Sequence, residues 1–296
     1  MQIDVVFSGG GVKAFAYIGV LAEMEKKGLS IKRAAGTSAG AIIASFLIAG
    51  YTAKEIETLL DELDLTCFLD SPKLMHFIPF SKWGILFFKK GIYKGNNFEY
   101  WLETCLARKG IRFFGDLPDG ALKVVASDLT LGRLVVFPDD LEKVYGLDPN
   151  SFPIAKAVRM SAGFPFFFMP ATLISNTGLK SQLVDGGMLS NFPLWLLGKR
   201  KVMKKRPVLG IRLSVPSSSL KKKKIDNAYE MCEAMISTMK TAHDSRYIST
   251  SGHPDIMEVA VKKASTMDLN ICEETKKDLI QSGRNAATSF FAGWPN

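Results

Sequence analysis

Apolar residues in this chain come in short blocks separated by glycine-rich turns. Gln2–Ser8 (QIDVVFS) forms such a block almost at the N-terminus, and its make-up predicts a buried strand. Residues 12–27 predict a helix, and Ile31–Ala35 a second short strand. Ala39–Ala49 (AGAIIASFLIA) is apolar for too long to be a strand and predicts a buried helix. Further strands are predicted at 122–127, 133–137, 182–185 and 207–213, and residues 225–296 read as terminal helices around a strand near 255–261. Strands alternating with helices predict an α/β fold of three α/β/α layers with a central, mainly parallel sheet. The whole of 1–296 reads as one domain.

Three glycine-flanked segments fall at junctions of this pattern. In Gly36-Thr37-Ser38-Ala39-Gly40 the serine stands between a strand and a helix, the setting of a nucleophile elbow. Gly36 and Gly40 remove the Cβ atoms that would collide across so sharp a turn. The following helix points its N-terminal dipole at the same place. Serine is also a favoured helix N-cap, so the pentapeptide alone admits both a catalytic and a capping role. Gly9-Gly10-Gly11-Val12-Lys13 joins the first strand to the first helix and lets backbone N–H groups converge on an anion. A dinucleotide fingerprint requires a third glycine where Ala14 stands, and Lys13 follows too soon for a phosphate-binding loop of the Walker kind. A strand–helix turn with no ligand is the plainer reading of the same glycines.

Asp185-Gly186-Gly187 ends an apolar stretch and carries a carboxylate on a tight turn. A histidine triad in the α/β-hydrolase order needs a base after the acid. The histidines are His76, His243 and His253. His76 precedes Asp185 and lies among apolar and aromatic residues, while the other two sit in polar surroundings that suit surface positions. A carboxylate can itself take a serine proton when partial desolvation lifts its pKa toward the working pH.

With these segments in their order, the chain resembles the patatin-like phospholipases, lipid acyl hydrolases with a Ser–Asp dyad. Secondary matches are Ile18-Gly19-Val20-Leu21, Ser127-Asp128-Leu129-Thr130 with Gly132, Ser161-Ala162-Gly163 leading to Phe168-Met169-Pro170, and Asn191-Phe192-Pro193. The resemblance covers roughly residues 1–215. It departs at Ala14, where glycine is common, and at Tyr17, where histidine is common. It implies Ser38 as nucleophile, Asp185 as base and Gly9, Gly10 and Gly11 as the oxyanion loop. Lys13, Gly36, Gly40, Gly186 and Gly187 would support them, with no metal or organic cofactor. The substrate implied is a phospholipid or another acyl ester. Asp128, before a turn between two strand-like runs, reads as structural. An acyltransferase or thioesterase on the same elbow, and a catalytically idle lipid-binding module, are the alternatives.

Composition adjusts this picture at the surface. The net charge of +9 concentrates in Lys199-Arg200-Lys201, Lys204-Lys205-Arg206 and Lys221–Lys224, which suits an anionic membrane surface or simply solvated loops. The clusters lack the interleaved aromatics and motifs of a nucleic-acid binder. Residues 67–93 are crowded with phenylalanine and tryptophan and broken by Pro72, Pro79 and Gly84. They read as part of a mostly helical insertion over the site, at 51–115, serving as lid, acyl pocket or added core. Cys67, Cys105, Cys232 and Cys272 lack metal-ligand spacing and suit reduced thiols. With no basic-then-apolar leader and no run of ~18–20 apolar residues, the expected location is cytoplasmic, at a membrane periphery, with secretion without a cleavable signal as the alternative.

Overall fold

The computed structural model describes residues 1–62, 91–197, 206–214, 255–261 and 271–294, with scattered positions between 225 and 239. Its strands are β1 (Gln2–Phe7), β2 (Ser30–Thr37), β3 (Gly91–Tyr93), β4 (Leu122–Asp128), β5 (Arg133–Phe137), β6 (Phe166–Phe168), β7 (Ala171–Ile174), β8 (Lys180–Asp185), β9 (Val208–Ser214) and β10 (Ile256–Ala260). Its α-helices are α1 (Phe15–Lys26), α2 (Ala39–Ile48), α3 (Ala53–Asp61), α4 (Asn96–Arg108), α5 (Ile154–Ser161) and α6 (Glu273–Gly293).

The main sheet follows the order β10-β9-β1-β2-β4-β8-β7, with β5 also pairing with β4. From β10 through β4 all neighbours are parallel; β5 and β8 run antiparallel to β4, and β7 antiparallel to β8. A parallel strand must be covered on both faces, and β1 meets that demand. Ile3, Val5 and Phe7 enter the main core with residues of α1, α2 and α6, whereas Val6 turns to the other face under Phe192, Leu194 and Leu197. Full burial of each such side chain contributes about 1.5–3 kcal/mol.

The predicted strands of the main sheet are present, with ends shifted by a few residues. The helix expected from residue 12 begins instead as a 3-10 turn at Gly11–Ala14 and becomes α-helical at Phe15. Periodicity did not reveal β6 and β7, which are short and separated by Met169 and Pro170. β6 lies outside the main sheet and pairs with β3, Gly91 opposite Phe166 and Tyr93 opposite Phe168. This strap carries an aromatic cluster: Phe167 stands 4.9 Å from Tyr93, and Phe168 stacks 6.1 Å from Phe98 on α4. Buried Arg159 on α5 clamps the strap, donating to the carbonyls of Lys94, Gly95 and Met169 and lying 4.8 Å over the Phe168 ring.

Residues 67–90 of the expected lid, and all three histidines, lie outside the described residues. Within 51–115 the described elements are α3, β3 and α4 together with a short 3-10 turn at Phe114–Asp116. Of the basic clusters, Arg206 is described, and it donates to buried Asp4 at 3.1 Å beside Arg33, so it belongs to an ion pair at the start of β1 rather than to a solvated patch. Cys105 and Cys272 are free thiols. No helix among the described residues is long and apolar enough to cross a membrane.

Candidate active site

The site forms where the parallel half of the sheet meets the antiparallel half. β5 occupies one edge of β4 from Val124 to Asp128. The other edge is shared: β2 pairs with it up to Val125, and β8 takes over at Ala126. The two strands therefore approach each other end to end along β4. Thr37 ends one and Asp185 ends the other, and Ser38 follows directly after Thr37.

Ser38 leaves β2 with φ 55° and ψ −127°, a region that residues with a Cβ seldom occupy outside functional turns. The turn is tight enough to require its glycines. A Cβ on Gly36 would stand 2.3 Å from the Gly40 carbonyl oxygen, and one on Gly40 would stand 2.6 Å from the oxygens of Phe7 and Ser8. Helix α2 starts at once, with the amides of Ala41 and Ile42 donating to Ser38 O. The Ser38 side chain makes no cap bond to the helix. It donates to Asp185 Oδ2 at 2.7 Å instead. Of the two partners open to the pentapeptide's serine, the helix amides and a neighbouring side chain, the hydroxyl takes the second.

Asp185 is 2% exposed and is held on three sides. Its Oδ1 accepts the Gly187 N–H at 2.6 Å, its own N–H donates to Gly163 O, and Gly186 fits against β4 where a Cβ would lie 2.2 Å from Val125 O. One carboxylate oxygen is thus fixed by the backbone and the other is turned to the serine.

The glycine loop lies against the elbow. A Cβ on Gly9 would stand 2.5 Å from Asn191 Oδ1 and 3.2 Å from Ser38 Cβ. Gly9 does not contribute an oxyanion donor, because its N–H is committed to Asn191 O at 3.0 Å. Gly9 thus has the place of a residue that shapes the loop. Gly10 and Gly11 open the 3-10 turn, where N–H groups have no partner within the helix. Gly11 holds φ 55°, and Gly10 packs on Leu213, whose Cδ1 would lie 2.4 Å from an added Cβ. Lys13 sits in the same turn, its N–H closing on Gly10 O at 3.3 Å.

Several residues that support this loop carry no signal in spacing or periodicity. Tyr17, one of the two departures from the family pattern, donates its hydroxyl to Ser8 O at 2.6 Å and takes the Ser8 hydroxyl at 3.0 Å. Burial pushes the Tyr17 phenol well above its ordinary pKa, so it remains a donor. Ser8 Oγ in turn accepts the Leu213 N–H at 3.1 Å, tying the loop to β9. Thr37 Oγ1 donates to Ser190 O at 3.0 Å, and Asn191 Nδ2 reaches Gly9 O at 3.4 Å. Asp128 has the structural place expected of it, accepting the amides of Thr130 and Leu131 and the Tyr145 hydroxyl.

An elbow serine, a carboxylate in hydrogen-bond contact and a glycine loop on a mainly parallel sheet are an arrangement that can carry out acyl transfer. Residues 5–197, which contain all three segments, match the patatin-like phospholipase family, and the chain belongs to that family of lipid hydrolases. It is 45% identical over 296 residues to the uncharacterized protein YqhO of Bacillus subtilis (strain 168), covering 99% of each chain. It is 26% identical over 201 residues to the cUMP-AMP-activated phospholipase of Escherichia coli, matching 64% of this chain but 55% of that one. The crystal structure of VipD from Legionella pneumophila shares the fold with a TM-score of 0.59 at 18% identity, over 98% of this chain and 66% of that chain.

Proposed function

We propose that this protein hydrolyses acyl ester bonds of glycerophospholipids through a Ser38–Asp185 dyad. The observation that carries the reading is the 2.7 Å bond from Ser38 Oγ to Asp185 Oδ2 at a strained strand–helix turn. Asp185 takes the Ser38 proton as Oγ attacks the ester carbonyl, and the amides of Gly10 and Gly11 hold the oxyanion. Collapse of the tetrahedral intermediate breaks the ester C–O bond, and the leaving alcohol takes the proton from Asp185. Water then attacks the acyl-serine with Asp185 as base, releasing a fatty acid and restoring the serine. The remaining Asp185 oxygen stays on Gly187 throughout, so the base does not rotate between steps.

The aromatic strap supports a lipid substrate. Tyr93, Phe98, Phe167 and Phe168 make an apolar, rigid body beside the helix that ends next to the elbow, suited to an acyl chain. The chain's positive charge supports docking on anionic bilayers, through lysines of the 199–205 stretch rather than Arg206.

Mass spectrometry of products from defined phospholipid vesicles tests this reading. The intact protein is expected to release free fatty acid and lysolipid, and Ser38→Ala neither. Acyl transfer to an added alcohol or to coenzyme A in preference to water would recast the protein as an acyltransferase.

A further inference from the structure

Ser161 takes no part in the chemistry set out above, yet both sides of its hydroxyl are used. It is fully buried at the last turn of α5. Its Oγ accepts the Ser38 N–H at 2.9 Å and donates to Val125 O at 2.6 Å. Those partners flank the place where β4 exchanges one neighbour for another. Val125 is the last residue of β4 paired with β2, and Ala126 is already paired with Asp185. As Ser38 swings out of the strand at φ 55°, its amide leaves the ladder. The Ser161 hydroxyl bridges that amide to the Val125 carbonyl, one donor and one acceptor closing the break with nothing left over.

We propose that Ser161 is a positioning residue for the nucleophile. Fixing the Ser38 amide plane fixes the Cα–Cβ direction, and with it the point from which Oγ meets both Asp185 and an incoming carbonyl. A strained backbone persists only where its surroundings over-determine it, and this relay is the contact that holds the amide side of the strained residue, as the Ala41 and Ile42 amides hold its carbonyl. The anchor is firm, because Arg159, two residues earlier, ties the same turn to the carbonyls of Lys94, Gly95 and Met169. The relay has a second consequence. The nucleophile's own N–H is occupied, so it is withdrawn from the set of oxyanion donors, which leaves that work to the glycine loop. The inference rests on Ser38 being the nucleophile.

The test compares wild type, Ser38→Ala, Ser161→Ala and Ser161→Thr on a soluble short-chain p-nitrophenyl ester, with circular dichroism to establish folding. Ser161→Ala is expected to lower kcat by about 10- to 100-fold with KM within about 2-fold, the effect of a misplaced reacting group. Its rate of labelling by a fluorophosphonate should fall by a similar factor, and Ser161→Thr, which keeps the hydroxyl, should recover most of both. A folded Ser161→Ala protein with unchanged kcat and labelling rate, or with KM alone raised, would overturn the proposal. Should the alanine variant not fold, amide hydrogen exchange of the wild-type protein decides. The Ser38 amide should be as protected as its β2 neighbours, and rapid exchange there would contradict the relay. Full activity in Ser38→Ala would instead overturn the nucleophile assignment, a result distinct from failure of the relay.

Discussion

Thr37 and Asp185 occupy successive rungs on one edge of β4, Thr37 opposite Val125 and Asp185 opposite Ala126. They belong to strands of opposite direction, so the edge of a single strand sets the level at which the serine following Thr37 meets the aspartate. Neither side chain has to reach. The contact is built from backbone pairing, which is why 147 residues of separation cost the site so little in precision.

The glycine loop should respond to substitution according to what each Cβ meets. Gly10→Ala keeps its N–H and its extended φ of −165°, and meets only the tip of Leu213. It is expected to lower kcat about 10-fold, with activity recovered in the double variant Gly10→Ala/Leu213→Ala. Gly9→Ala drives into Asn191 and toward Ser38 Cβ and is expected to lower kcat by about 100-fold or more, with no rescue by Leu213→Ala. Steady-state kinetics on a soluble ester checks both, and equal effects of the two variants would count against the loop geometry.

The elbow glycines act on stability as well as on chemistry. In Gly36→Ala the new methyl meets backbone of Gly40 and Ala41, which has no side-chain freedom to yield. A loss of about 4 kcal/mol or more is expected, visible as a large drop in the denaturant midpoint. A Gly36→Ala protein as stable as wild type would show that the turn is looser than described.

Much of this was legible in the sequence. The strand blocks, the buried helix after Ser38 and the three glycine segments are local signals, since each depends on residues within a few positions. Tyr17, Ser161, Asn191 and Leu213 were not legible as supports of the site, because their partners lie 9, 123, 182 and 205 residues away and hydroxyls or leucines carry no periodic mark. β6 escaped for another reason. Its aromatic run, Phe166–Phe168, looks like core, and only pairing with β3 makes it a strand.

Glu55 gives the acid limb of stability a defined sign. Its carboxylate accepts from Lys109 at 2.8 Å and from the Thr52 amide in a capping box, and Lys109 above all holds it at about 2 against an ordinary 4.5. A depressed carboxylate stabilises the fold above its unfolded value and loses that contribution as pH falls from about 4.5 toward 2. Because the pair is partly solvent-exposed, the effect is small. Glu55→Gln should lower the thermal midpoint by about 1–3 °C at pH 7, and the difference from wild type should vanish near pH 2. A difference that persists unchanged at low pH would contradict the assignment.

Membrane recruitment should be separable from chemistry. Replacing Lys199, Lys201, Lys204 and Lys205 with glutamine is expected to weaken sedimentation with anionic vesicles and leave hydrolysis of a soluble ester unchanged. Surface charges are screened over about 8 Å at physiological salt, so wild-type vesicle binding should fall as salt rises. Equal wild-type binding to neutral and anionic vesicles at low salt would remove the basis for electrostatic docking.

The dyad itself is tested most directly by the rate of fatty acid release from phospholipid vesicles in Ser38→Ala and Asp185→Asn, each shown by circular dichroism to be folded. Residues that act as one unit fail together, so each variant is expected to lose at least about 1000-fold in rate, while His243→Ala and His253→Ala stay near wild type. Near-normal release by a folded Asp185→Asn protein, with activity lost instead on removal of a histidine, would contradict the Ser38–Asp185 mechanism.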